Sequence, residues 1–305
     1  MPKPDSFDSF DSTITERGNT DNPWVLNETG RAYLPDYELL EALLAIPLQA
    51  KNESASGRFA NAIDAWVAAE LRRAGFPSDE VWPRLQRPRV LPRELGLFVG
   101  GLPRRLREQV EPRLLAQPAI APRDAKVLGR AYSKQVDVVI AQWSRGPELM
   151  VSTKSMVSSF GNNLKNRFEE SYGDAKNLRA RFPLAAIGFL FVFRSTILEK
   201  PGRFLAAQDM LRKLRAESDV YDTTCMVLAD WDDAFTHVRL RNDLTPADLQ
   251  ADQFLATLVE SVLDRTPIEV HRSVRELHEH RELPDEEDLD LETAEDVEPG
   301  EASST

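Results

Sequence analysis

Residues 134–173, KQVDVVIAQWSRGPELMVSTKSMVSSFGNNLKNRFEESYG, hold the side chains with the most chemical potential. Asp137 falls on one candidate strand, and Ser152 and Lys154 fall two apart on the next. The adjacent carboxylates Glu169 and Glu170 follow on a polar helix. Acid, lysine and acid on a small sheet and its next helix are the groups that metal-assisted cutting of a phosphodiester requires. Mg²⁺ takes hard oxygen ligands from one or two carboxylates plus water and phosphate. The ion stabilises the crowded negative phosphorane and helps generate hydroxide, and a lysine beside it orients or deprotonates the attacking water. Asp137 with Glu169 or Glu170 is the expected Mg²⁺ set, with Lys154 at the water.

Strand geometry limits which groups can cooperate. Alternation puts Glu148, Met150, Ser152 and Lys154 on one face of their strand. Ser152 and Lys154 are then about 7 Å apart, while Glu148 lies about 20 Å from Lys154, too far to share an ion with it. Ser152 stands where a second strand carboxylate would be most useful, so the missing charge must come from elsewhere. The Ser/Gly/Asn-rich SSFGNN turn is long enough to fold the next helix back beside the strand. An upstream amphipathic helix, GRFANAIDAWVAAELRRAGF (57–76), offers two more acids. Glu70 lies near the centre of its apolar face and Asp64 at the edge, and a carboxylate in such a place needs a partner or a metal.

The elements that must position these groups read in the order helix, hairpin, helix, strand, helix, strand, helix. Helices are expected over 37–48, 57–76, 161–182, 203–217 and 245–263. Strands are expected over 136–143, 147–155, 185–193 and 224–230. The near-continuous apolar run AAIGFLFVF suits a central strand covered on both faces. The fold class is α/β, a mixed central sheet flanked by helices. Residues 1–30 read as a flexible arm, 31–275 as the main domain and 276–305 as a disordered acidic tail. An Arg/Pro-rich, largely helical insertion covers 77–130.

Composition bounds the rest. The 305 residues are 42% hydrophobic, enough for a substantial core, and no run approaches the ~20 apolar residues of a membrane span. The acidic N-terminus is unlike a secretory signal. A single cysteine, Cys225, excludes an internal disulfide and a cysteine zinc cluster, and a cytoplasmic setting is expected. The net charge of −12 argues against a DNA-binding protein, yet eleven acids lie between Glu282 and Glu301, leaving −12 + 11 = −1 for the remainder. Arg84 to Arg130 carries eleven basic residues against four acids. Local fields steer a polyanion, so this segment is either DNA-facing or a solvated connector. Asn162, Asn163, Lys165 and Arg167 are candidate contacts to DNA phosphates or bases, or simply a hydrated helix start. His271, His278 and His280 are expected at the surface, and Trp231 in the core.

With these residues in view, the region 57–193 resembles the PD-(D/E)xK nuclease superfamily, and most of all type II restriction endonucleases, whose core runs α-β-β-α-β. Asp137 matches the first acid of that motif and Lys154 its lysine. Ser152 departs from the acidic position, as in a subgroup that reads Ser-x-Lys and moves its glutamate to the following helix. Glu169 or Glu170 would be that glutamate. Asp64 falls where the family carries an acid on its first helix, with Glu70 as a buried rival. The literal Pro4-Asp5 lies in the N-terminal arm and is a decoy. The resemblance implies a Mg²⁺-dependent endodeoxyribonuclease acting on double-stranded DNA, a homodimer to suit two symmetric strands, and a partner methyltransferase if cutting is sequence-specific. Two other readings stay open. One is a DNA-binding or protein-interaction module with the same fold and no chemistry. The other is a hydrolase in which Lys154 activates Ser152.

Overall fold

The computed structural model describes residues 5–18, 21–28, 30–50, 55–158, 160–232 and 237–283; the side chains of residues 55, 56 and 162 fall outside this description. The chain opens with helix α1 (Asp8–Arg17), a hairpin of β1 (Trp24–Asn27) and β2 (Gly30–Tyr33), and helices α2 (Tyr37–Gln49) and α3 (Ala55–Arg73). A two-residue strand β3 (Val81–Trp82) precedes helices α4 (Arg93–Gly101) and α5 (Arg104–Leu115). Strands β4 (Ala125–Leu128), β5 (Ser133–Val136), β6 (Val138–Gln142) and β7 (Gly146–Met156) follow, then helix α6 (Asn162–Arg179) and strand β8 (Ala186–Arg194). The remainder is α7 (Pro201–Ala216), β9 (Thr223–Trp231), β10 (Val238–Leu240), α8 (Ala251–Asp264) and α9 (Arg272–Glu279).

The architecture is mixed α/β. One six-stranded sheet runs in the order β10-β9-β8-β7-β6-β3. β6 and β7 form an antiparallel hairpin, β7, β8 and β9 are parallel, and β3 and β10 are antiparallel edges. Helices cover both faces. Alternation along the strands decides which residue meets which layer. Leu149 and Val151 of β7, Ala186, Leu190 and Val192 of β8, and Cys225 and Val227 of β9 pack with α2, α3 and α8. Met150, Ile187, Phe189, Phe191, Phe193, Met226 and Leu228 pack on the opposite face with α6 and α7. Both faces of β8 are thus consumed by core, which is why its sequence lacks polar alternation.

The central elements match their sequence-based expectations, and the differences are local. The strand expected over 136–143 is split at Asp137, because β5 pairs with β4 in a separate two-stranded ribbon while β6 pairs with β7. The helix expected from 245 begins at Ala251, after two short 3-10 turns. The expectation of a flexible arm over 1–30 is corrected for the described residues. Phe10 of α1 and Trp24 of β1 are both buried in the core. Asp5, Asp8 and Asp11 bind the guanidinium of Arg89, which is 4% exposed. The short SFDSFDS repeat is therefore helix-forming docking sequence, with the aspartates at a spacing of three on one side. The 276–283 part of the expected tail also has structure, since α9 runs to Glu279 and Leu283 is buried; residues 284–305 lie outside the described residues. His271 and His278 are not surface groups as expected. The His271 side chain is 2% exposed, with Nε2 3.3 Å from Glu148 Oε1, and the His278 ring meets Trp24 edge-on at 4.5 Å.

Candidate active site

Asp137 occupies the bend where the chain leaves the β4–β5 ribbon and enters the main sheet. Val138 pairs with Val151, which brings Asp137 to the level of Ser152 at the end of the β6–β7 ladder. There the Asp137 carboxylate replaces a strand partner: the backbone N–H of Thr153 donates to its Oδ2 at 2.8 Å. The side chain of Thr153 points to the other face, toward α3, and its hydroxyl donates to Asp64 Oδ1 at 2.5 Å. One residue thus holds two carboxylates, one through the backbone and one through the side chain. Lys154 comes next in the chain, on the side of the sheet that Asp137 shares by alternation with Val139 and Met150.

The electrostatics follow from this crowding. Burial pushes the Asp64 carboxyl well above the ordinary range, and the neighbouring Asp137 pushes it further, against the Thr153 hydroxyl and the charge of Lys154. Asp137 is also raised, first by burial, while Lys154, the Thr153 amide and Lys134 pull the other way. Two carboxylates that repel each other, Asp64 buried and Asp137 half-buried, favour either protonation of one or a bound cation.

Helix α6 closes the site from its other side. Glu170 accepts from Arg167 Nη1 at 2.8 Å and lies 3.6 Å from Lys134 Nζ. Burial opposes its ionisation, but Arg167, Lys154 and Lys134 outweigh that and hold the carboxyl below its ordinary range. Lys134 also contacts Asp174, one turn further along α6, and Tyr132 Oη donates to Asp174 Oδ1 at 3.0 Å. Asn177 completes this seam. It accepts the Ala131 amide at 2.8 Å and donates to the Tyr132 carbonyl at 3.0 Å, pinning the ribbon to the helix.

The structure therefore brings together Asp137, Ser152, Lys154, Glu170 and Asp64, with Ser152 buried beside Lys154. It does not bring in Glu169, which is 63% exposed and 3.6 Å from Lys165 on its own helix. Consecutive helical residues point about 100° apart, so the pair cannot both face the strand. Glu70 is also removed from the site. It accepts from Tyr33 Oη at 3.0 Å and from the Asp36 amide at 2.9 Å, and it is 3.3 Å from Arg73. That carboxylate is a structural partner. Among the DNA-contact candidates, Asn163 and Lys165 are exposed, Arg167 is tied to Glu170, and the Asn162 side chain lies outside the described residues. Sequence reasoning missed Thr153, Lys134 and Asp174. Thr153 was hidden as the unspecified middle residue of Ser-x-Lys, and Lys134 by the split of its strand.

The donors suit a hard cation. Asp64 and Asp137 supply carboxylate oxygens, and Mg²⁺ needs one or two of these with water and phosphate. Among the described residues no group of three or more His, Cys, Asp or Glu is gathered closely enough to hold a metal, so an ion here would rest on two carboxylates. The basic segment is partly exposed, since α5 presents Arg104, Arg105 and Arg113 to solvent, while Arg89 is consumed internally. No helix of the described residues is long and apolar enough to cross a membrane. No family model matches the chain, and neither a curated protein nor a solved structure matches it.

Proposed function

We propose that the protein is a Mg²⁺-dependent DNA endonuclease, of the restriction type that the PD-(D/E)xK resemblance implies. The observation that carries this reading is the double grip of Thr153 on Asp64 and Asp137, with Lys154 the next residue. The order α3, β6–β7 hairpin, α6, β8 supports it, being the α-β-β-α-β order of such nucleases. Asp137 and Asp64 would hold the ion, which supplies charge for the phosphorane and acidity for a bound water. Thr153 fixes both carboxylates before substrate arrives, a preorganisation that avoids rearrangement during the reaction. Lys154 orients the attacking water and balances the phosphate charge. Ser152, buried at the level of Asp137, fills the place of a strand acid without adding a third repelling charge. Double-stranded DNA is the proposed substrate and a homodimer the proposed working form, because two antiparallel strands present symmetry-related phosphates.

The same serine favours a second reading, a DNA-binding module that keeps the fold and has lost hydrolysis. Plasmid DNA incubated with the protein and Mg²⁺ decides between them. Discrete fragments that disappear in Asp137→Ala, Asp64→Ala and Lys154→Ala support the nuclease. Tight binding with no cutting in Mg²⁺ or Mn²⁺ supports the module. Ester hydrolysis in a chelator that Ser152→Ala abolishes would move the chemistry to the serine.

A further inference from the structure

The cations around Glu170 form an arrangement that hydrolysis at Asp64 and Asp137 does not use. Arg167 Nη1 sits 2.8 Å from Glu170 Oε2, and Lys134 Nζ sits 3.6 Å from Oε1. The charge of Lys154 reaches the same carboxylate. These cations come from α6, β5 and β7 respectively, three separate elements that converge on one anion. Lys134 is held in place from behind, because Asp174 contacts its ammonium and the Tyr132 hydroxyl braces Asp174.

The anion they surround is at the surface. The Glu170 side chain is 38% exposed and that of Arg167 47%. Elsewhere the fold treats a carboxylate between cations differently. Asp222 lies between Arg179 and Arg265 with a side chain 14% exposed, and it also takes the Ile187 amide at 2.7 Å. Asp222 is built into the scaffold, whereas among the described residues Glu170 is held by side-chain ion pairs to Arg167, which is exposed, and to Lys134, which is partly exposed; pairs open to solvent are worth about 0–1 kcal/mol each. A phosphodiester offers the same cations stronger charge-assisted bonds. Exchange of the Glu170 carboxylate for a phosphate costs little and gains more.

We propose that Lys134, Lys154 and Arg167 form a binding cluster for a DNA backbone phosphate, and that Glu170 is its internal stand-in, occupying the anion's place until DNA displaces it. The proposal rests on the reading of the site as one that handles DNA, and not on cleavage. Arrival of the phosphate swings the Glu170 side chain out to solvent and leaves Lys134 braced by Asp174. The cluster adjoins Asp137, whose charge Lys134 and Lys154 both feel, so a phosphate bound there lies beside the two-carboxylate pair.

The test is binding of a fluorescent DNA duplex in Ca²⁺ and in chelator, titrated over salt. Neutralising a phosphate contact lowers affinity across all sequences and reduces the salt slope by about one. Lys134→Met and Arg167→Met are expected to weaken binding about fivefold to tenfold and flatten the slope. Lys134→Arg should retain most of the affinity, which separates lost charge from lost folding. Glu170→Gln is the decisive variant and is expected to bind DNA about fivefold tighter. Unchanged or weaker binding by Glu170→Gln would overturn the stand-in role, as would Lys134→Met with an unaltered slope. Absence of any DNA binding by the native protein at low salt would overturn it too. Native binding that tightens in Glu170→Gln, without cutting in any metal, would sink the nuclease reading and leave the phosphate cluster standing.

Discussion

Thr153 and Asp64 lie 89 residues apart in the chain and are joined by a hydrogen bond of 2.5 Å, made by a threonine hydroxyl on a strand to a carboxylate on the helix packed over it. The bond satisfies an otherwise costly buried acid. It also couples α3 to β7 at the point where β6 ends its ladder. Removing the hydroxyl without changing shape, as in Thr153→Val, leaves Asp64 buried with one donor fewer. A destabilisation of about 1–3 kcal/mol is expected in urea unfolding, the cost of a stranded buried polar group. Thr153→Ser keeps the donor and should recover most of that loss. Equal destabilisation by valine and serine would show that the methyl packing, rather than the hydrogen bond, matters.

Crowded carboxylates should respond to a divalent ion. Binding to the native state alone stabilises by RT ln(1 + [L]/Kd), about 2.7 kcal/mol at one hundred times Kd. Millimolar Mg²⁺ or Mn²⁺ is therefore expected to raise the midpoint of thermal unfolding, and Asp137→Asn or Asp64→Asn should abolish the rise. A metal-independent midpoint in the native protein would remove the cation from the site. Scanning calorimetry reads this without any assay of cutting.

Much of this arrangement was legible beforehand because periodicity marks long elements. The alternation in PELMVSTKS and the apolar run of AAIGFLFVF each determine a strand and which residues share a face. Alternation fixes faces within one strand, and whether Asp137 meets Lys154 on one side depends on how the two strands pair. The remainder depends on pairings that leave little local trace. The ribbon of β4 and β5 has four residues per strand, too few for a pattern to stand out, and it decides where Lys134 points. Glu169 and Glu170 are indistinguishable by type, and only the rotation of α6 against β5 selects Glu170. Glu70 looked functional because a carboxylate on an apolar face is rare, and its partner Tyr33 lies 37 residues away on a short strand.

That same Glu70 gives a stability dependence on pH. Burial pushes its carboxyl up to about 7, although Arg73, the Asp36 amide and the Tyr33 hydroxyl oppose the shift. An unfolded glutamate releases its proton near 4.5. Between those values the native state binds more protons than the unfolded chain, so stability falls as pH rises. The contribution is complete below 4.5 and gone above about 7, with an upper limit of about 3 kcal/mol at 1.36 kcal/mol per unit. Glu70→Gln carries no such charge. Its unfolding midpoint relative to the native protein should climb from pH 4.5 to 7.5, and parallel curves over that range would refute the assignment.

Close packing of α8 on the central strand gives a prediction of steric origin. A Cβ added at Gly188 of β8 would lie 2.8 Å from Phe254 Cζ and 3.1 Å from Leu258 Cδ2, below van der Waals contact. Gly188→Ala is expected to destabilise by about 1–3 kcal/mol, as overpacked cores do. Phe254→Leu on that background should return part of the loss by vacating the space.

The N-terminal helix makes a wider claim on the fold. Arg89 donates to Asp5 at 2.7 Å, to Asp8 at 3.0 Å and to Asp11 at 2.7 Å, and also to the carbonyls of Arg84 and Leu85. Its guanidinium therefore ties α1 to the basic segment that leads toward the site. Deleting the aspartates leaves a buried cation with carbonyl partners only, and breaking a buried pair from one side costs about 3–5 kcal/mol. The triple change of Asp5, Asp8 and Asp11 to Asn should approach that loss, whereas Arg89→Met on the triple background should recover part of it by removing the uncompensated charge. Urea unfolding of the four proteins measures the cycle. Simple additivity, with the methionine adding its own penalty, would mean that α1 is held by Phe10 and its apolar contacts and that the aspartates contribute little.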